Sequence, residues 1–208
     1  ERIVRRTHKP VLLAPDEHQP MARVLLAVGP RDVTSTIVDY GTELEMLRKA
    51  VREFAVKKIA PFADQWDAEH YFPYKDAIRP MGELGFFGTV IPEEYDGVDM
   101  GWLAAMIITE EIARVSSSLR VQVNMQGLGC AYPIVKYGSD ALKAKYVEKL
   151  VSAEYLGGFA ITEPNAGSNL ATLETTAYRE GERYRIKGSK IFISWGDHDI
   201  AENIVHLV

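Results

Sequence analysis

Residues 159–171, FAITEPNAGSNLA, bring turn-forming and hydrogen-bonding residue types together in one short stretch. Thr162 follows an apolar, strand-like segment, so its hydroxyl group can project from the end of the strand. Pro164 and Gly167 predict a sharp turn, and a glycine lets the backbone approach a ligand closely. Ser168 and the neighbouring backbone N–H groups are donors that suit a phosphate. The stretch therefore predicts a concave bend rich in donors.

KIFIS, at residues 190–194, is a second segment whose residue types could bind a ligand. It is predicted to be a strand, which places Phe192 and Ser194 on the same face, because residues i and i+2 of a strand share a face. An aromatic plane and a hydroxyl group beside a donor-rich bend suit a flat heteroaromatic cofactor with a pyrophosphate, such as a flavin. The alternative is an ordinary turn between strands, with Phe192 in the core.

Composition limits the classes of protein to consider. The 208 residues are 47% hydrophobic and 25% charged, as in ordinary globular domains, and the net charge of −5 predicts no nucleic-acid partner. No apolar run approaches the ~20 residues that span a bilayer. The single cysteine, Cys130, has apolar neighbours and is predicted to be an inert core thiol. His198 and His206 are separated by a predicted turn, which argues against a metal site.

Helical signals dominate residues 42–152, which predict an N-terminal helical domain of about six elements. Thr42 and Glu45 form a capping box that predicts the first helix start. Ser139 is predicted to cap a later helix, and WLAAMIITEEIARV is apolar on most faces, as expected of a buried helix. Apolar residues with helical spacing follow the capping box at Leu44, Leu47, Val51 and Phe54.

The remaining segments complete an α+β prediction. Residues 1–41 are predicted to be an irregular leader. Residues 153–208 predict a partial β domain with a hairpin at Gly181, and the final apolar strand, NIVHLV, would leave an open edge. We therefore expect an N-terminal helical bundle followed by an incomplete antiparallel β domain, in a chain that is part of a longer one or needs a partner.

These motifs resemble those of the acyl-CoA dehydrogenase family. From Thr42 to Val208 the chain resembles the family's N-terminal half: FAITEPNAGSN is similar to its flavin signature and KIFIS to its second flavin strand. RPMGELGFFGTVIPEEYDG, GWLAAMIITEEIAR and KYGSDALKAKYVEKLVSAEYLGGF resemble the glutaryl-CoA dehydrogenase branch. SWGDHDIAENIVHLV is more similar to another branch of the family. The resemblance implies an acyl-CoA dehydrogenase type of fold and FAD as cofactor.

The resemblance also implies roles for individual residues. The Ile161 N–H and the Thr162 hydroxyl would meet the pyrimidine end of the flavin, Phe192 would stack on its ring and Ser194 would meet its N5. An arginine that grips the distal carboxylate of the substrate is placed at Arg120 by counting back from Pro133. The implied cofactor-binding residues are Phe159, Ile161, Thr162, Gly167, Ser168, Phe192, Ile193 and Ser194; the implied substrate-binding residues are Arg120, Val121 and Ser168.

Further expectations concern the whole protein. The resemblance implies an acyl-CoA substrate, an electron-transferring flavoprotein as partner, a homo-oligomer for the full-length family, and a cytoplasmic or, in a eukaryote, mitochondrial matrix location. The catalytic carboxylate base is expected beyond Val208, as is the C-terminal helical domain. The alternative is a truncated, non-catalytic relative that binds only a flavin or a partner. A mass near 23.3 kDa for the protein isolated from its natural source would favour that alternative.

Overall fold

A computed structural model describes the backbone of residues 31–208 and the side chains from Tyr40 onward. None of the helices in this part of the chain combines the length and apolar character that crossing a membrane requires. The α-helices are α1 (Arg31–Phe54), α2 (Ala63–Ala68), α3 (Arg79–Glu83), α4 (Trp102–Ala113), α5 (Ser117–Val123), α6 (Tyr132–Tyr137) and α7 (Asp140–Val151). The strands are β1 (Tyr155–Phe159), β2 (Thr176–Glu180), β3 (Arg183–Lys187) and β4 (Asn203–Leu207).

Helix α1 begins at Arg31, so the predicted start at Thr42 is wrong. Residues 31–41 of the predicted irregular leader are therefore helical, and residues 1–30 lie outside the described part of the chain. Tertiary packing explains the difference, because Tyr40 packs on α4 and its hydroxyl donates to the Met100 carbonyl oxygen at 2.9 Å. Such contacts stabilise a helix beyond what local capping signals indicate.

The helical core forms where the apolar periodicity predicted it. Val51 is fully buried, and Leu44, Leu47 and Phe54 contribute to two adjoining apolar clusters between α1 and α4. Helix α4 buries most of its faces, as its composition predicted. Serine caps begin two helices. The Ser139 hydroxyl accepts from the Leu142 N–H at 3.4 Å, as predicted, and the Ser116 hydroxyl accepts from the Leu119 N–H at 3.2 Å.

Three π-helical stretches extend or connect these α-helices. A π-helical stretch at Asn124–Ala131 joins α5 and α6 into one continuous helical segment, and another at Ala55–Ile59 extends α1. A third, at Tyr74–Ile78, leads into α3, where Pro80 occupies a first-turn position that tolerates a missing N–H. Pro80 therefore starts a helix in this segment.

The β region consists of two separate strand pairs. β1 and β4 are parallel, with Tyr155 opposite Asn203 and Phe159 opposite Leu207. β2 and β3 form the predicted antiparallel hairpin around Gly181, whose φ of 65° suits a glycine. Every residue of β2 and β3 is exposed, so both faces of this hairpin are open to solvent among the described residues. The small sheet region after the helical domain confirms the predicted order of the architecture, whereas the parallel pairing of β1 with β4 departs from the antiparallel domain predicted.

Gln126 fixes β1 against the helical domain. Its buried side-chain amide donates to the carbonyl oxygens of Leu150 and Tyr155, at 2.7 and 2.6 Å, and its oxygen accepts from the Gly157 N–H at 3.0 Å. Cys130 packs beside Gly157, and burial raises the pKa of its thiol to about 12. The thiol is therefore protonated and inert at neutral pH, as predicted. These contacts anchor the first half of β1 to the helical domain.

Candidate functional site

The carboxyl end of β1 brings Phe159 to the surface. Leu156 is fully buried, whereas Phe159 is 39% exposed at the end of the same strand. The next residue, Ala160, extends the pairing with β4 because its N–H donates to the Leu207 carbonyl oxygen at 2.7 Å. The Ile161 N–H then donates to the Phe159 carbonyl oxygen at 3.2 Å. The Ile161 donor predicted to meet a flavin is thus engaged within the chain itself.

The predicted turn follows and is confirmed. Glu163 and Ala166 exchange two backbone hydrogen bonds, of 3.0 and 3.1 Å, which close the chain over Pro164 and Asn165. Gly167 lies outside this closed turn and does not have a positive φ, so the turn does not require it. No heavy atom lies within 4 Å of a Cβ placed at Gly167, which leaves open space beside the backbone.

Glu163 is the best-connected side chain of the bend. Its carboxylate, in a residue only 4% exposed, accepts from Lys190 Nζ at 2.8 Å and from the backbone N–H groups of Glu174 and Thr175 at 2.6 and 3.0 Å. Lys190 Nζ also donates to the Ile161 carbonyl oxygen at 3.1 Å. The hydrogen bond from Lys190 is the main reason why the pKa of Glu163 falls to about 2.

The sequence analysis missed both members of this ion pair. A signal existed in the sequence, since Glu163 lies within the FAITEPNAGSN motif and Lys190 is the first residue of KIFIS. The pair thus joins the two motifs that were interpreted separately.

The prediction that KIFIS is a strand is wrong. The Ile191 N–H donates to the Thr162 carbonyl oxygen at 3.0 Å, which places the segment beside the bend. No further ladder forms within residues 31–208, and Phe192 and Trp195 take positive φ values of 56° and 64°. A strand needs a continuous hydrogen-bonded neighbour, and the described residues supply a single bond here. The rule that placed Phe192 and Ser194 on one face does not apply.

The chain turns back towards β4 immediately after Phe192. The Gly196 N–H donates to the Ile193 carbonyl oxygen at 3.0 Å, and the Ser194 carbonyl oxygen lies 3.4 Å from where a Cβ on Gly158 would be. Ser194 therefore lies against β1. Trp195 packs on Phe72 at the edge of the core, with ring centroids 4.0 Å apart.

Several features of this region fit a flavin. The Phe192 ring is 90% exposed and follows directly after the residue bonded to the bend. Among the described residues, the Thr162 hydroxyl has no hydrogen-bond partner. Ser168 is exposed beside the open space at Gly167. An uncovered aromatic surface with hydroxyl donors at its edge matches a planar ring with a polar rim, so the residues present fit the cofactor.

A cleft of about 360 Å³ lies on the hairpin side of the bend. It is lined by Glu163, Pro164, Asn165, Glu174, Thr176, Lys187, Gly188 and Ser189. None of the predicted flavin-binding residues lines it, so the predicted site is an open surface beside the bend.

Arg120 and Val121 lie in α5, away from the hydrogen bonds that join the bend to KIFIS. Both are half-buried. Within the described part of the chain Arg120 has no ion pair, unlike Arg48 and Arg52, which both bind Glu111. A half-buried guanidinium without an acid is a candidate for binding an anion from outside these residues.

Comparisons with known proteins match both the helical domain and the strand region of the chain. The model of the acyl-CoA dehydrogenase N-terminal domain matches residues 33–154, and that of the acyl-CoA dehydrogenase middle domain matches residues 158–206. The glutaryl-CoA dehydrogenase of Desulfococcus multivorans is 66% identical over 154 residues, which cover 73% of this chain and 40% of that protein. The chain thus spans about 40% of the length of this curated relative.

Solved structures match over the same share of the chain. A glutaryl-coenzyme A dehydrogenase in complex with glutaryl-CoA aligns with a TM-score of 0.71 and 66% identity, covering 73% of this chain and 39% of that one. A glutaryl-CoA dehydrogenase of Mycobacterium smegmatis in complex with FADH2 aligns with a TM-score of 0.69 and 26% identity, again over 73% and 39%. On these matches of sequence and fold, the chain belongs to the acyl-CoA dehydrogenase family.

Proposed function

We propose that this chain is part of a flavin-dependent acyl-CoA dehydrogenase that oxidises the α,β bond of a short dicarboxylic acyl thioester of the glutaryl type. The observation that carries the substrate class is Arg120, half-buried and without an acid partner in the described residues. Its presence in a member of this family, 66% identical over 154 residues to a glutaryl-CoA dehydrogenase, supports the choice.

The cofactor that fits the bend is FAD. When bound, its flavin supplies the two-electron oxidant that this chemistry needs. Phe192 provides the aromatic surface for the ring, with Phe159 and Ile193 beside it. The Thr162 and Ser194 hydroxyls bind its polar edge, where placed donors stabilise charge that develops during reduction. Gly167 and Ser168 leave room and a donor for the pyrophosphate, and Ser168 also faces the thioester ligand.

Arg120 selects the substrate in this proposal. An apolar acyl pocket is a costly place for an unpaired guanidinium, so an inward arginine needs an anion. A carboxylate at the far end of a short acyl chain can accept two parallel hydrogen bonds from it. Val121, the next residue of α5, contributes apolar surface to the same pocket. Loss of one partner of such a desolvated pair costs on the order of 2–5 kcal/mol.

A comparison of two substrates tests this assignment. In the whole natural protein, Arg120→Ala should lower kcat/KM for glutaryl-CoA by at least about thirtyfold, the lower end of that cost. Activity with butyryl-CoA should change little. Arg185→Ala, which removes an exposed arginine of the hairpin, is the matched control and should affect neither substrate. Equal losses for both substrates, or none, would refute the role of Arg120 and favour a general short-chain dehydrogenase.

The partners follow from the same proposal. An electron-transferring flavoprotein would take the electrons from the reduced enzyme, and the full-length protein would act as a homo-oligomer in the cytoplasm or, in a eukaryote, the mitochondrial matrix. Reduction of a purified electron-transferring flavoprotein by the enzyme and glutaryl-CoA, and sedimentation of the whole protein, would check the first two of these.

A further inference from the structure

We propose that Glu163 and Lys190 are positioning residues for the flavin, an inference that rests on the proposed function. Together they hold the bend after β1 and the Phe192 segment at a fixed separation. Neither residue needs to touch the cofactor for this role. On one side, the pair acts through the backbone of Ile161 and Thr162. On the other side, it acts through Ile191, the residue that links Lys190 to Phe192.

The first support is the way in which the ion pair joins three segments. Glu163 belongs to the bend, Glu174 and Thr175 lead into the hairpin, and Lys190 precedes Phe192. Three donors converge on one carboxylate, at 2.8 Å from Lys190 Nζ and at 2.6 and 3.0 Å from the N–H groups of the hairpin approach. The two side chains are 4% and 15% exposed, so solvent screens their attraction only weakly.

The second support is the orientation of the peptide between Ile161 and Thr162. Lys190 Nζ donates to the Ile161 carbonyl oxygen at 3.1 Å, which directs this carbonyl towards Lys190. Because the peptide unit is planar and trans, the Thr162 N–H points in the opposite direction. That N–H has no acceptor among the described residues. Lys190 thereby holds a backbone donor without an acceptor in the described residues so that it points away from the ion pair.

The third support is that Phe192 has few other constraints. Its ring is 90% exposed, and its backbone has a φ of 56°, which non-glycine residues adopt at an energetic cost. The hydrogen bond from the Ile191 N–H to the Thr162 carbonyl oxygen, at 3.0 Å, is adjacent to the ion pair. On the N-terminal side of Phe192, Lys190 and Ile191 are therefore the attachment to the bend, and loss of the lysine would leave one backbone bond on that side.

The test compares flavin binding with folding. Variants Lys190→Met, Glu163→Gln and Lys190→Arg are prepared in the whole natural protein, together with Arg185→Met, which removes the exposed hairpin ion pair with Glu180 as a matched control. FAD is titrated into each flavin-free protein, and the visible circular dichroism of the bound flavin and the melting temperature without flavin are recorded. Glu163→Gln keeps the shape of the side chain and guards against a variant that fails to fold.

We expect Lys190→Met and Glu163→Gln to weaken FAD binding at least tenfold and to alter the visible circular dichroism of the flavin that still binds. Lys190→Arg should restore binding to within about threefold, and the Met and Gln changes combined should weaken binding by less than the product of their separate effects. The control should match the unaltered protein.

Two results would contradict the positioning role, and each has a different meaning for the proposed function. If the unaltered protein binds FAD, and Lys190→Met and Glu163→Gln lower only the melting temperature while the dissociation constant and dichroism stay the same, the pair merely stabilises the fold and the positioning role is refuted. If the unaltered protein itself binds no FAD, the proposed function fails and the positioning role fails with it.

Discussion

Phe192 has the largest exposed fraction, 90%, among the large apolar side chains of residues 40–208. A ring in this state adds little to the core, since it buries almost no area. It can contribute to binding, because an aromatic pair is worth about 0.5–1.5 kcal/mol beyond the area it buries. Its removal should therefore separate cofactor binding from folding.

Phe192→Ala should weaken FAD retention by roughly threefold to tenfold, as that stacking energy implies, and leave the melting temperature of the flavin-free protein unchanged. Tyr184→Ala, which removes an exposed aromatic ring from the hairpin, is the control and should alter neither quantity. Fluorescence titration with FAD gives the dissociation constant. Unchanged retention in the Phe192 variant would show that the ring is not part of the site.

Individual residues also mark where sequence reasoning succeeded and where it stopped. Pro164 correctly predicted a turn, because turn chemistry is encoded locally, although the turn closes before Gly167. The ion pair of Glu163 could not be predicted from local turn chemistry, because a carboxylate in a turn is usually solvated and only the fold brings Lys190 to it. A contact between residues 27 positions apart depends on the tertiary path of the chain.

At the scale of elements, α1 and α4 are joined by a buried carboxylate. The Glu111 side chain is fully buried and accepts hydrogen bonds from Arg52 at 2.8 Å and from Arg48 at 2.7 Å. The hydrogen bond from Arg52 is the largest cause that lowers the pKa of Glu111 to about 2. Since the charged form is stabilised in the folded state, folding favours the ionised carboxylate.

This carboxylate predicts an acid dependence of stability. Because its folded pKa is depressed from 4.5 to about 2, its contribution is present above pH 4.5 and is lost as the pH falls towards 2. Glu111→Gln should lower stability at neutral pH by about 1–3 kcal/mol and flatten the loss of stability over that acid range. Glu110→Gln, at a 56% exposed position beside it, is the control and should retain the slope. Chemical denaturation at a series of pH values measures both, and equal slopes in all three proteins would contradict the assignment.

Elements were predictable where their own residues carry the pattern. Helical spacing located the buried face of α1, and Gly181 located the hairpin, since both signals are local. KIFIS failed as a strand because alternation indicates only that a segment can pair, and the described residues give it one bond, to Thr162. The predicted start of α1 was wrong because Tyr40, which precedes it, packs against α4.

At the scale of the whole molecule, the chain covers about 40% of the length of the glutaryl-CoA dehydrogenase that it matches. The bend contains a carboxylate in Glu163, but a pKa of about 2 makes it too weak a base to remove a proton from carbon near neutral pH. Its three hydrogen bonds, from Lys190 and from the Glu174 and Thr175 N–H groups, also give the carboxylate a structural role. The base that the family's reaction needs is thus expected from a part of the protein outside the bend.

Reduction of bound flavin by glutaryl-CoA tests the central claim most directly. The whole natural protein is loaded with FAD and mixed anaerobically with glutaryl-CoA, while the visible absorbance of the flavin is followed. We predict that the oxidised flavin bleaches with glutaryl-CoA and that Arg120→Ala slows this by at least about thirtyfold, as the loss of a desolvated charge pair implies. A protein that binds no FAD, or a bound flavin that glutaryl-CoA leaves oxidised, would contradict the account.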